Sequence, residues 1–144
     1  MNGYIDQNGN YYEAERNITG ATEVPRRQPP LAQFKAEKLA ELRQAREAAS
    51  VANVTVQGKV FSAEPNIQTA FKRLADRMRR GKPSKLQAIM DVDGNPVTQV
   101  TQALLDGIED AIADNTEDAW NKYGALVQQV NAATTVEHVN VIAW

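Results

Sequence analysis

The chain has 144 residues, enough for one main domain with a buried core, and its 42% hydrophobic and 24% charged residues match ordinary globular usage, which excludes wholesale disorder. A net charge of −2 supplies no global field toward nucleic acid or membrane, and the absence of cysteine excludes disulfides, thiolate metal sites and cysteine nucleophiles. No basic segment leads into an apolar one at residues 1–6, and no apolar run approaches the ~20 residues of a membrane helix, so neither a signal peptide nor a membrane span is expected.

In chain order, the first element expected is a short β-hairpin. Gly3-Tyr4-Ile5 and Tyr11-Tyr12 flank Asp6-Gln7-Asn8-Gly9-Asn10, and Asn8-Gly9 suits the positive φ of a tight turn. An isolated hairpin is marginal in water, so this one is expected to lean on something else. Residues 14–30 read as a linker, because Pro25, Pro29 and Pro30 exclude helix and favour extended backbone. The organisation predicted is a docking hairpin over 1–13, a proline-rich spacer over 14–30 and a helical, hairpin-bearing body over 31–144.

The body opens with a helix from Leu31 to about Ala52, with a narrow apolar stripe of Leu31, Phe34, Leu39, Leu42, Ala45 and Ala49. Val54-Thr55-Val56 and Lys59-Val60-Phe61 flank Gln57-Gly58 as a second hairpin. Ser62 is the expected cap of a helix over 63–80, with Pro65 in its first turn and Gly81 as its stop. Ile67, Phe71, Leu74 and Met78 form its core stripe. A third hairpin is expected from Leu86–Met90 and Pro96–Val100 across Asp93-Gly94. Thr101 then caps a long helix over 102–133, which Gly107 and Gly124 weaken. Thr135 caps a short last turn, and the apolar ending Val141-Ile142-Ala143-Trp144 is expected to be docked. The fold class predicted is α+β and mainly helical: three helices with interspersed short β-hairpins, preceded by the N-terminal hairpin and the linker.

Motifs for chemistry are sparse. His138 is the single histidine, and Glu137 is its one acidic close neighbour, so it reads as an exposed helical residue and not as a ligand. Ser50, Ser62 and Ser84 lie in no Gly-x-Ser-x-Gly elbow. Asp91-Val92-Asp93-Gly94-Asn95 departs from a calcium loop, because glycine is fourth and Gln102 falls at position twelve; Asp6-Gln7-Asn8-Gly9-Asn10 departs likewise. No glycine-rich phosphate-binding motif is present. The acids of the last long helix read as a solvated face. No catalytic residue, cofactor or metal is therefore predicted, and the chain is expected not to be an enzyme.

Charge is nevertheless segregated. Seven positive side chains between Lys72 and Lys85 face one acid, Asp76; from Leu86 to Glu137, nine acids face one cation, Lys122. The basic stretch reads first as attraction to the acidic helix, within one chain or between neighbours, and second as a contact for phosphates. The candidate interaction residues are Tyr4, Ile5, Tyr11 and Tyr12 at the front, and Arg77, Arg79, Arg80 and Lys82 in the body.

Lys38-Leu39-Ala40-Glu41-Leu42-Arg43-Gln44-Ala45-Arg46 followed by Val54-Thr55-Val56-Gln57-Gly58-Lys59-Val60-Phe61 resembles the start of an uncharacterised domain family found in tailed-phage and prophage proteins, often encoded beside tail fibres. The ending Ala132-Ala133-Thr134-Thr135-Val136-Glu137 through Trp144 is similar to that family's close, and the front, Tyr4-Ile5-Asp6 to Tyr12-Glu13 with Val24-Pro25-Arg26, resembles the hairpin and linker of tail-fibre-associated and fibre-assembly proteins. The chain departs from the family at Arg79-Arg80-Gly81-Lys82-Pro83-Ser84-Lys85, where small apolar residues and tryptophan are usual, which leaves the partner of that stretch open. The resemblance brings no catalytic residues. It implies a structural component of a bacteriophage tail, at the fibre or baseplate, made in the host cytoplasm and residing in the virion. Its partners would be a tail fibre or baseplate protein and further copies of itself, a trimer being expected from the usual symmetry of fibres. An assembly chaperone absent from the mature particle is the second reading. A nucleic-acid-binding accessory protein is the third, and nucleic acid is not the expected partner.

Overall fold

A computed structural model describes residues 2–8, 10–14, 21–24 and 30–144. The fold is α+β and mainly helical, and the chain divides into two compact units, residues 1–34 and 35–144.

The first unit contains a three-stranded antiparallel sheet of β1 (Asn2–Ile5), β2 (Tyr11–Ala14) and β3 (Thr22–Val24), in the order β2-β1-β3. The first two strands are the expected hairpin. Their register sets Tyr4 opposite Tyr12 and Ile5 opposite Tyr11. The Tyr4 and Tyr12 rings stack with centroids 6.4 Å apart. Asp6 organises the connection: its Oδ1 accepts from the backbone N–H of Asn8 and of Asn10, each at 2.9 Å. Gly9, expected in that turn, lies outside the described residues. β3 corrects the linker reading, since Thr22–Val24 pairs with β1. Thr22 and Val24 are β-branched, the residue type that strands favour, although prolines follow them closely. Ala14, assigned to the linker, ends β2; residues 15–20 and 25–29 of the expected spacer lie outside the described residues.

Helix α1 spans Leu31–Ser50 and begins where the Pro30 carbonyl accepts from the N–H groups of Gln33 and Phe34. In the second unit, strands β4 (Val54–Val56) and β5 (Lys59–Phe61) form a hairpin. Gln57 and Gly58 both hold positive φ, +51° and +73°, the requirement of the tight turn that matches strand twist. Helix α2 (Pro65–Arg79) follows. Its N-cap position is Glu64, without a side-chain cap, so the expected capping by Ser62 is corrected. Ser62 Oγ, two residues before the N-cap, instead accepts from the Glu64 N–H at 3.3 Å, ahead of the helix's own N–H groups. At the other end Gly81 N–H donates to Met78 O and Lys82 N–H to Arg77 O, with Gly81 at φ +74°, a Schellman closure.

Strands β6 (Ile89–Met90) and β7 (Pro96–Val97) make the third hairpin, shorter than expected at both outer ends. Its loop repeats the first one: Asp91 Oδ1 accepts from Asp93 and Asn95 N–H, as Asp6 does from Asn8 and Asn10. The Val92 N–H reaches Val60 O at 2.9 Å, tying this loop to β5. Helix α3 (Gln102–Ala132) is capped by Thr101, whose hydroxyl accepts from Leu104 N–H, and the short α4 (Val136–Asn140) is capped in the same way by Thr135.

Two apolar clusters run along α3. Its first half buries Leu104, Leu105, Ile108 and Ile112 against Val54 and Phe61 of the hairpin, Phe71 and Ala75 of α2, and Ile89. Phe61 and Phe71 meet edge to face. Gly107, a weakness by propensity, is a packing device: a Cβ there would stand 3.0 Å from Val56 Cγ1, so glycine lets β4 lie close on the helix. The second half buries Leu126 and Val130 with Leu42 of α1 and Ile142, and Leu39, Tyr123 and Trp144 pack around them. The apolar ending is therefore docked, as expected. No helix among the described residues is long and apolar enough to cross a membrane.

Candidate interaction surface

The body's surface is organised by where α2 and α3 place their charges. The two helices run antiparallel, and Arg79 near the end of α2 reaches the start of α3. Its guanidinium donates to Asp106 and, at 2.5 Å, to Glu109, while also pairing with Asp76 on its own helix at 2.8 Å. Lys72 adds a long contact to Glu109 at 3.9 Å. The hydrogen bonds that Arg79 donates to Glu109 and then to Asp106 raise its already high pKa. The Gln102 amide, which donates to Asp106 at 2.8 Å, and then Arg79 hold the Asp106 carboxyl below the usual carboxylate range. The attraction expected between the basic stretch and the acidic helix is thus realised within the chain, at Arg79.

Of the eight candidate interaction residues, Arg79 is accordingly engaged inside the fold. Arg80 and Lys82 are exposed and Arg77 is half-buried, and none of these three makes an ion pair among the described residues. In the first unit Tyr4 is fully buried, which corrects its reading as a contact residue: it orders the sheet and does not present itself. Ile5, Tyr11 and Tyr12 are half-buried, and Tyr11 Oη donates to Glu13 Oε1 at 3.2 Å.

A second polar–aromatic cluster had no sequence motif. Arg46 of α1 lies over the rings of Trp120, at 4.2 Å, and Tyr123, at 5.0 Å, and those two rings meet edge to face. Lys122 stands over Trp144 at 4.9 Å. The i, i+3 spacing of Trp120 and Tyr123 was the available signal; Arg46 joins them only through helix packing. Trp120 remains half exposed.

An open groove between α2 and α3, about 700 Å³, is floored by Phe71, Ile108 and Ile112 and rimmed by Gln68, Lys72, Glu109 and Glu117. Among the described residues no three His, Asp or Glu side chains group as a metal site. His138 is exposed on α4, and its backbone N–H donates to Thr135. Asp91 is held below its ordinary range by Asn95, through backbone and then side-chain donors, and by the Asp93 N–H.

The model of a family described as Domain of unknown function (DUF4376) matches residues 33–143. No curated protein and no solved structure matches the chain.

Proposed function

The chain belongs to the DUF4376 family, and we propose that it is a structural component of a bacteriophage tail, at the fibre or baseplate, that acts by protein–protein contact and not by catalysis. The observation that carries this reading is modular. The family match begins at residue 33, and the compact second unit begins at Lys35. A family body therefore carries a separate small sheet unit, the organisation of an adaptor with one element for each of two partners. The front hairpin resembles that of fibre-associated proteins, which makes a fibre or baseplate protein its partner. The body, with exposed charge and an open groove, serves contacts to other subunits, including copies of itself.

Quantitative mass spectrometry of purified particles tests the proposal. The chain is expected at a fixed small-integer ratio to the tail proteins. Its absence from particles, together with its recovery on the fibre protein from lysed host cells, would replace this reading with that of an assembly chaperone.

A further inference from the structure

Two charged stripes on the body share one spacing. Arg73 and Arg77 on α2 and Arg80, the residue that caps its C-terminus, stand at intervals of four and three residues, and Asp110, Asp114 and Glu117 lie on α3 at the same intervals. At 3.6 residues per turn, each set forms a nearly straight row with charges ~6 Å and then ~4.5 Å apart along the axis. Both rows lie on the side of their helix opposite its buried residues, Phe71 and Ala75 on α2 and Ile108, Ile112 and Ala119 on α3. Five of the six side chains are exposed and Arg77 is half-buried. Asp110 and Glu117 reach the rim of the groove between α2 and α3, on the side of Pro65, Gln68 and Thr69 and not of the three arginines. None of the six makes an ion pair among the described residues.

We propose that these rows form a heterologous interface between copies of this chain, in which α2 of one copy lies parallel to α3 of the next and pairs Arg73 with Asp110, Arg77 with Asp114 and Arg80 with Glu117. The inference rests on the contact-protein reading above and specifies one partner, a second copy. Charge complementarity selects that occupant: a polyanion would satisfy the basic row and be repelled by the acidic one, whereas a second copy satisfies both. The matched four-and-three spacing favours the parallel arrangement, because an antiparallel one brings a four-residue interval against a three-residue one. Each copy offers one row of each sign, so the contact propagates head to tail and closes into a ring if the rotation permits.

The test is sedimentation equilibrium of the full chain, with circular dichroism to verify folding. The wild type is expected to self-associate at about 50 mM salt, with its association constant falling roughly tenfold or more at about 500 mM as screening shortens the reach of the charges. Reversing the basic row (R73E/R77E/R80E) or the acidic row (D110K/D114K/E117K) is expected to abolish association by each variant alone. Mixing the two variants restores it, because each then supplies the rows that the other needs. A wild type that stays monomeric at low salt would overturn the interface, as would association that survives both reversals or a mixture that fails to associate. DNA retention lost on reversing the basic row, with self-association unchanged, would overturn it in favour of a nucleic-acid contact. Particle composition does not depend on any of these outcomes, so the tail assignment and this interface can fail separately.

Discussion

Gln57 holds a φ of +51°, in the left-handed region that side chains other than Asn and Asp visit rarely. The turn needs positive φ at both central positions, and Gly58 meets that demand at no steric cost. Gln57→Asn is therefore expected to raise stability by about 0.5 kcal/mol, read as an upward shift of the urea midpoint with an unchanged slope. Gly81→Ala is expected to lower stability by about 1 kcal/mol, because the Schellman closure holds that residue at φ +74°. The two helical glycines should separate cleanly. Gly124 has open space where a Cβ would go, so Gly124→Ala is expected to add about 1 kcal/mol and raise Tm by about 3–6 °C. Gly107→Ala gains the same propensity but forces Val56 Cγ1 to yield, so its melting temperature should fall below that of Gly124→Ala. At this scale the turn glycines 58, 81 and 94 were legible, because their neighbours in sequence declare a turn. The role of Gly107 was not, because it is set by a strand some fifty residues away. Arg79 was legible as a charge and not as a link to Asp106 and Glu109, since helix pairing decides which carboxylates it meets.

Between elements, the α2–α3 pairing and the Asp91 loop share a dependence on ionised carboxylates. Asp106 is depressed by the Gln102 amide and then by Arg79; Asp91 is depressed by Asn95 and Asp93 donors. A group whose folded pKa lies below its unfolded value, about 3.9 for aspartate, stabilises fully above that value and loses its contribution as pH falls through the folded one. Acid unfolding is thus expected to gain its dependence on these two residues below about pH 4. In a pH series of chemical denaturation, the stability gap between wild type and Asp106→Asn should stay level near neutrality and narrow below about pH 4. A gap that widens on acidification would contradict the assignment. Salt should also shrink the gap, because Arg79, Asp76 and Asp106 are all partly exposed and screened. Element order was readable from periodicity and turn residues, down to the Thr101 and Thr135 caps. The misreadings have local causes. Glu64 took the N-cap position because Pro65 fixes the first turn two residues later than Ser62 would serve, and β3 was hidden by the prolines beyond it. The third hairpin is short because its pairing ends at Ile89 opposite Val97.

For the whole molecule, the question is which part of the chain is needed to build the body. Both apolar clusters draw their buried members from residues 42–142, and the family match spans 33–143. Yet α1 starts at Leu31, and its first turn is closed by the Pro30 carbonyl, so a cut at the boundary near Phe34 would remove the helix start with the sheet. A fragment beginning at Pro30 keeps that carbonyl and every residue of both clusters. It is expected to unfold cooperatively, with a melting temperature within about 5 °C of the full chain, since no buried member of either cluster is removed. The same fragment should keep the self-association proposed for the charged rows, all of which lie between Arg73 and Glu117, while losing binding to the fibre or baseplate protein proposed as the partner of the front sheet. A fragment that is unfolded by circular dichroism would mean that the sheet unit is part of the body's stability and not an attachment to it. One that folds yet still binds the proposed tail partner would move the proposed docking surface from Tyr11 and Tyr12 to the helical body.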